Sequence, residues 1–256
     1  MRRAAGISRV ATLRQTLGTL AEGALHWAFP DECRHCGTPL GASPTLCSDC
    51  WDSIPMWGRL QDATLEGAGQ MEARAATRYS GAAREAILAM KGEARLGLCR
   101  RLAGLIADIT PALYDWDEYT ALVPIPSHRV RRAERGFSQT GQLARWLGRR
   151  VGLPVQARWL RRVKATRPLR LLDGRDERRE EVRDAFRCRA IPEEHHGGAA
   201  LLLDDIVTTG ATTMEARRAL IDAGLGRVDV VCVARALGAP DGSYDDTDDA
   251  ALNVIP

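Results

Sequence analysis

Two aspartates and four threonines lie close together in residues 201–213, which read LLLDDIVTTGATT. Three leucines precede Asp204 and Asp205, as in a buried strand that ends at an acidic pair. In a parallel sheet the carboxyl ends of the strands face ligands, and the first amides of the following helix attract anions. Carboxylates accept hydrogen bonds from a diol, while backbone amides and hydroxyl groups hold a phosphate. The segment therefore predicts a site for a phosphate monoester that carries neighbouring hydroxyl groups.

The turn after the acidic pair supplies the predicted phosphate donors, with a helix starting near Thr213. Gly210 lets the backbone approach a ligand closely. The plainer alternative is that the two acids cap the helix or pair with arginines. Two adjacent carboxylates repel each other without a partner, which favours the ligand site. The predicted ligand-binding turn comprises Thr208, Thr209, Gly210, Ala211 and Thr212.

Four cysteines form a second chemical pattern, with the spacing C-x2-C-x10-C-x2-C. Two residues between cysteines let one tight turn direct both sulfur atoms at the same metal, and two such turns complete a tetrahedral zinc site. Four protein ligands leave no open position for catalysis, so the predicted role of the Zn²⁺ is structural. His35 lies inside the first turn and is predicted to be a surface residue. The predicted zinc ligands are Cys33, Cys36, Cys47 and Cys50.

The composition is that of a globular protein, with 45% hydrophobic and 27% charged residues among 256. No apolar run approaches the length of a membrane span, and arginines interrupt the N-terminal segment where a signal peptide would need an apolar core. The sequence thus predicts a soluble, cytoplasmic protein without membrane insertion. Residues 128–183 hold 17 Lys/Arg against 6 Asp/Glu, a local charge of +11. That charge suits phosphates of a small ligand or of nucleic acid, or solvated helix faces.

Strands and helices alternate from about residue 74 onwards. Apolar runs predict strands over 121–126, 199–206 and 227–237, and helical periodicity predicts helices over 83–90, 95–109, 138–152 and 212–224. This order indicates an α/β fold with a mostly parallel sheet flanked by helices. The predicted domains are an N-terminal helix (1–30), a four-cysteine zinc module (31–57), the α/β domain (72–238) and an acidic, disordered tail (239–256).

Several segments resemble one known family. Two acids followed by T-T-G-x-T are similar to the 5-phosphoribosyl pyrophosphate (PRPP) motif of type I phosphoribosyltransferases. The segments VPIPSHRVRRAERGFSQ and YSGAAREAILAMK resemble the ComF family, including ComFC and GntX-like proteins, which joins a four-cysteine zinc module to such a domain. The resemblance implies a type I phosphoribosyltransferase-like fold, PRPP bound with Mg²⁺, and a role in DNA uptake during natural competence. It makes Asp204 and Asp205 the candidate catalytic residues as well as ligands of the ribose hydroxyls.

Other residues are assigned through the same resemblance. Ser127, His128 and Arg129 follow a core strand and are expected to face pyrophosphate. Gln139 is either a polar contact or an exposed helix residue, and Lys91 either reaches a phosphate or caps its helix.

The chain also departs from the family pattern. Leu169 and Glu181 stand where the family has Gln and Asn, and Ser138 replaces another Asn. These changes leave open whether the chain catalyses the transfer and which acceptor it uses.

Two functions follow. The first is a transferase that releases pyrophosphate from PRPP. The second is a non-catalytic adaptor that binds a ligand or single-stranded DNA beside the proteins of the competence machinery.

Overall fold

The computed structural model describes residues 32–40, 45–56, 73–92, 96–109, 115–126, 138–167, 172 and 174–236. The chain divides into two compact units, Met1–Ser53 and Ile54–Pro256. The predicted N-terminal helix and acidic tail lie outside the described residues, so the predicted domain limits remain a prediction. Within the described residues, no helix combines the length and apolar character that crossing a membrane requires.

Four strands form a parallel sheet at the centre of the second unit, and two short strands form an antiparallel pair. In chain order the strands are β1 (Ala73–Arg78), β2 (Tyr119–Pro124), β3 (Leu160–Arg162), β4 (Phe186–Cys188), β5 (Ala199–Val207) and β6 (Arg227–Arg235). The parallel sheet has the order β1-β6-β5-β2, and β3 pairs with β4. β5 and β6 consist largely of aliphatic residues. Helices cover both faces of these strands, so side chains on both sides are buried. The sheet therefore places β5 between two buried neighbours.

The described residues include six α-helices. They are α1 (Ser48–Asp52) in the first unit, and α2 (Gly81–Gly92), α3 (Leu96–Ile109), α4 (Gln139–Val151), α5 (Gly174–Val182) and α6 (Ala211–Ile221) in the second. The Ser138 hydroxyl accepts a hydrogen bond from the Gly141 amide at the start of α4, and Gly152 ends that helix with φ 77°. These ends match the predicted helix over 138–152, because a hydroxyl cap and a left-handed glycine are favoured there.

The helices cover opposite faces of the sheet. On one face α3 packs against α4, and α4 also contacts β2 and β5. On the other face α6 packs against α5, β4 and β6. The core on the α6 side includes the alternate strand residues Ala200 and Leu202, together with Trp159 and Phe186. The predicted α/β class, a mostly parallel sheet flanked by helices, is confirmed.

Three parts of the second unit have no counterpart in the sequence prediction. They are β1, the β3–β4 pair and α5. β1 contains Arg74, which is buried in the structure and which interrupts the apolar pattern that marks the other strands. β3 and β4 have three residues each, too few to show alternation. The charged segment of α5 lacks an apolar face that would predict a helix.

Candidate functional site

The carboxyl end of β5 carries the two predicted acids out of the core. Leu201, Leu202 and Leu203 are fully buried, whereas Asp204 and Asp205 are partly exposed. Successive side chains of a strand point to opposite faces of the sheet. The two carboxylates therefore extend toward different helix layers.

Asp205 forms an ion pair on the α3–α4 side. Its Oδ1 lies 3.0 Å from the Lys91 ammonium, which belongs to the last turn of α2. The same oxygen accepts a hydrogen bond of 2.7 Å from the Ile206 amide. The sequence leaves Lys91 open between a phosphate contact and a helix cap. The structure instead brings its ammonium to one of the predicted ligand-binding acids.

Asp204 extends to the α6 side, next to Cys232 of β6. Burial raises the pKa of Asp204 to about 8, and the negative charge of Asp205 adds to that rise. The Asp205 amide, which donates to Asp204 Oδ1 at 2.9 Å, and the charges of Lys91 and Arg162 act in the opposite direction on this pKa. The Arg162 guanidinium lies 5.3 Å from the Phe186 ring centre and interacts with Thr166. Asp204 therefore ionises less readily than an ordinary aspartate.

The turn after β5 leads directly into α6. Gly210 adopts φ 78° and occupies the N-cap, and the helix begins at Ala211. The prediction of a start near Thr213 is wrong by two residues. Thr213 instead donates its hydroxyl proton to the Gly210 carbonyl at 2.7 Å, which closes the first turn. Ala211 and Thr212 consequently present first-turn amides, which have no partner within a helix.

One hydroxyl group of this turn is left without a partner. Thr209 Oγ1 is buried, and no hydrogen-bond partner for it exists among the described residues. A buried polar atom without a partner costs free energy, so such atoms in native proteins commonly mark a ligand or water position. Thr208 and Thr212 are partly exposed on either side of it. The turn therefore combines first-turn amides with an unsatisfied hydroxyl.

The residues expected at the pyrophosphate end are not among those that the structure describes. Ser127, His128, Arg129 and Leu169 lie outside the described residues. Glu181 is described, and its carboxylate accepts hydrogen bonds from the backbone amide and the guanidinium of Arg167, at 2.7 and 3.0 Å. This acid fastens the end of α5 to the segment after β3.

Two positioning residues have little or no signal in the local sequence. Gln139 is 4% exposed and donates its side-chain amide to the Lys91 carbonyl at 3.3 Å, so the prediction of an exposed helix residue is wrong. Arg162 has no role in the sequence prediction, because one arginine among many in a basic segment carries no distinguishing pattern. A lone lysine after a helix is the only signal that points toward the ion pair with Asp205.

The four predicted metal ligands converge in the first unit. Their sulfur atoms all lie within 4.8 Å of one another, and those of Cys36 and Cys47 are 3.7 Å apart. Gly37, with φ 74°, donates its amide to the Cys33 carbonyl and closes the first turn. A tetrahedral site with Zn–S bonds of about 2.3 Å places its sulfurs about 3.8 Å apart, so the cluster fits a zinc ion. His35 is exposed and is not part of the cluster.

Backbone amides favour the thiolate form of Cys33. Burial alone raises the pKa of Cys33, yet amides that include those of Cys36 and Cys47 lower it to about 6. The Cys47 amide lies 3.4 Å from the Cys33 sulfur, and the Cys50 amide lies 3.5 Å from that of Cys47. Burial and the neighbouring thiols raise the pKa of Cys50. A bound cation would lower the pKa values of all four thiols, as metal ligation does.

Competence protein F of Haemophilus influenzae is 26% identical to this chain over 212 residues, which represent 82% of this chain and 86% of that protein. This match agrees with the order of the sequence motifs and with the convergence of the four cysteines. The chain is similar to the ComF family. The family resemblance drawn from its motifs is confirmed, whereas no family model matches the sequence.

Two solved structures are similar to part of this chain. Leishmania donovani UMP synthase is 17% identical with a TM-score of 0.33, over 56% of this chain and 23% of the synthase. This chain thus spans about a quarter of the synthase's length. The L. donovani hypoxanthine-guanine phosphoribosyltransferase is 14% identical with a TM-score of 0.30, over 59% of this chain and 67% of that enzyme.

The cysteine cluster leads to a prediction about metal content. We expect wild-type protein to contain about one zinc ion per chain and the Cys36→Ser variant to lose most of it, because three thiolates leave the tetrahedron incomplete. Inductively coupled plasma mass spectrometry of purified protein measures this directly. Cys188→Ser, which changes a cysteine outside the cluster, should keep its zinc. Equal zinc in the Cys36→Ser variant would contradict the assignment.

The environment of Asp204 leads to a prediction about pH. Its pKa of about 8 in the folded chain exceeds the value of about 3.9 for an unfolded aspartate. Between these two pH values the folded chain keeps the Asp204 proton and the unfolded chain has lost it. Asp204 therefore lowers the free energy of unfolding as the pH rises through this range. We expect the Asp204→Asn variant to lose less stability than wild type from about pH 5 to about pH 8, as measured by urea unfolding. Asp222→Asn, at an exposed carboxylate, should follow wild type; parallel profiles for Asp204→Asn and wild type would contradict the prediction.

Proposed function

We propose that the chain binds PRPP with Mg²⁺ at residues 204–212 and transfers its phosphoribosyl group to an acceptor. In this reaction the acceptor forms a bond to C1 of the ribose, the bond between C1 and the pyrophosphate oxygen breaks, and pyrophosphate leaves. Mg²⁺ arrives with PRPP and neutralises its pyrophosphate. The acceptor is an open question, because Leu169 and Glu181 depart from the family pattern in the segment that would cover the site.

The observation that carries this proposal is the meeting of two complementary groups at the end of β5. The carboxylates of Asp204 and Asp205 offer acceptors for the ribose hydroxyls. Within a few residues of them, the first-turn amides of α6 and the unpartnered Thr209 hydroxyl offer donors for the 5-phosphate. A ribose phosphate carries both kinds of group a few bonds apart.

The same residues can assist the transfer. Loss of pyrophosphate leaves positive charge on the ribose ring. The Asp205 carboxylate, and that of Asp204 once it has lost its proton, would stabilise that charge electrostatically. Positioning of PRPP by the turn and the acids reduces the entropy cost of meeting the acceptor. Asp204 and Asp205 are the catalytic residues of the proposal, and it needs no protein nucleophile.

The remaining parts of the chain have supporting roles in the proposal. The four-cysteine cluster holds a structural Zn²⁺. The name of the Haemophilus influenzae relative supports a function in competence, in which the chain acts in the cytoplasm beside other proteins of the DNA-uptake machinery.

PRPP binding is the first expectation to test. Isothermal titration of zinc-loaded protein with PRPP and Mg²⁺ should give a dissociation constant in the micromolar range. The Asp204→Asn/Asp205→Asn variant should bind at least about tenfold more weakly, because Asn at 205 removes a charge-assisted hydrogen bond and Asn at 204 removes an acid that can ionise. Asp222→Asn at the far end of α6 is the matched control and should bind like wild type. Absence of binding to wild-type protein would overturn the proposal, while binding opens a screen of acceptors for pyrophosphate release.

A second candidate function is binding of single-stranded DNA, favoured by the face that α3 and α4 form together. The two helices carry five exposed arginines and only one acid, Asp108. Trp146, a large aromatic residue of the kind usually found in the core, is partly exposed, with the guanidinium groups of Arg100 and Arg149 each 5.5 Å from its ring centre. Arginines beside an aromatic ring suit phosphates and stacked bases. The five arginines are Arg100, Arg101, Arg145, Arg149 and Arg150.

Salt dependence tests this second function. Fluorescence anisotropy of a labelled oligo(dT) should show weaker binding by Arg100→Ala/Arg149→Ala. The slope of log affinity against log salt should decrease by about 0.7 for each phosphate that the variant no longer neutralises. Arg179→Ala/Arg183→Ala removes the same charge from α5 and the turn after it, where both arginines pair with acids, and should leave the slope unchanged. No binding by wild type at low salt would exclude this function.

A further inference from the structure

A groove runs between α5 and α6 on the outer side of the second unit. Its volume is about 480 Å³, which lies within the range of ligand-binding cavities in proteins. Val182, Met214 and Ile221 give it an apolar floor, and the last two of these side chains are only partly buried. Covering such a floor with another segment is favourable, because it removes apolar area from water.

The rim of the groove is basic. Two acids line it, Glu215 and Asp222, and both already pair with Arg218, at 2.6 and 3.3 Å. Four arginines stand against these two acids, which gives the lining residues a net charge of +2. The four arginines are Arg179, Arg183, Arg217 and Arg218.

Arg217 is the lining cation with the most capacity for a further partner. Its Nε donates to the Val228 carbonyl at 3.2 Å, and it forms no ion pair with an acid in the part of the chain that the structure describes. The two terminal nitrogens of its guanidinium can therefore bind a carboxylate. Arg179 and Arg183 pair with exposed acids three residues before them, and exposed pairs of this kind contribute little free energy.

The described part of the chain ends beside this groove. Ala236 follows β6, and its amide donates to the Val207 carbonyl at 3.0 Å. Val207 is the last residue of β5, and Thr209, two residues later, lines the groove together with Ala211. The chain therefore leaves the sheet next to one end of the groove.

The acidic tail, residues 239–256, has a composition complementary to the groove. It contains five aspartates and no other charged residue, so its charge is −5. Leu252, Val254 and Ile255 follow the aspartates and match the apolar floor. The five aspartates are Asp241, Asp245, Asp246, Asp248 and Asp249.

The tail is also long enough to reach the whole groove. α6 has 11 residues, and a helix of that length extends about 16 Å. Asp245 lies nine residues beyond Ala236, and an extended chain of that length spans about 30 Å. The aspartates can therefore meet the arginines at either end of α6.

We propose that the acidic tail docks in the groove between α5 and α6 of its own chain. The aspartates would pair with the arginines of the rim, and the apolar residues that follow would cover the floor. The inference does not depend on ligand binding at Asp204 and Asp205, so it can stand or fall apart from the function proposed above.

Photocross-linking of the full chain tests this docking. Tyr244 lies beside the tail aspartates, and photoreactive p-benzoylphenylalanine replaces it. Irradiation should link position 244 to residues of α5 or α6, with the linked peptides identified by mass spectrometry. The yield should fall about fivefold or more between about 0.05 and 0.5 M NaCl, because salt screens ion pairs.

Two sets of substitutions identify the charges responsible. Neutralising the four aspartates within 245–249 changes no described residue and should lower the yield about fivefold or more. Arg217→Ala should lower it about threefold, while Arg158→Ala, at an exposed arginine outside the groove, should cross-link like wild type. Thermal unfolding shows whether each variant is folded. The four tail substitutions are Asp245→Asn, Asp246→Asn, Asp248→Asn and Asp249→Asn.

Each outcome decides for or against the docking. Links to α5 or α6 within single chains, lost in the tail variant and reduced by Arg217→Ala, support it. No link, a link elsewhere in the chain, or an unchanged yield in either variant overturns it. A cross-linked dimer whose yield rises with protein concentration would assign the groove to the tail of a second copy, and would overturn docking within one chain.

Discussion

The alternation of side chains along β5 is the constraint on which the site depends. Because neighbouring residues of a strand face opposite sides of a sheet, Asp204 and Asp205 lie beside different layers of the domain. Asp205 meets the Lys91 ammonium from α2, and Asp204 lies on the side of Arg162 from β3. The acidic pair is tolerated at the end of a buried strand because both layers of the domain supply positive charge to it.

The carboxyl end of β5 holds polar groups whose burial has an energetic cost. Burial and mutual repulsion disfavour the ionised form of Asp204, and the Thr209 hydroxyl is buried without a partner among the described residues. Both features work against stability in the ligand-free chain. A ligand that brings hydroxyl protons to the acids and oxygen atoms to the turn would satisfy these groups together. Groups that lower the stability of the fold are common at sites where a protein binds a ligand.

The cysteine cluster, unlike the acidic pair, can form from short-range backbone geometry alone. Each pair of cysteines is separated by two residues, and the turns that close around Gly37 and at the start of α1 direct the sulfurs together. Folding such a cluster depends on the metal more than on a large apolar core. The acids of the second unit, by contrast, need a complete sheet and two helix layers.

The sequence by itself determined the alternation of strands and helices, the four clustered cysteines and the segment that leaves β5. Each depends on neighbours in the chain: apolar runs, a C-x2-C spacing, or two acids followed by a glycine turn. Tertiary structure alone decided that Lys91 contacts Asp205 and that Gln139 holds the Lys91 backbone. These contacts join residues 114 and 48 positions apart, so no local pattern encodes them. The short strands β3 and β4 also depend on the fold, because three residues acquire strand geometry only through pairing and burial.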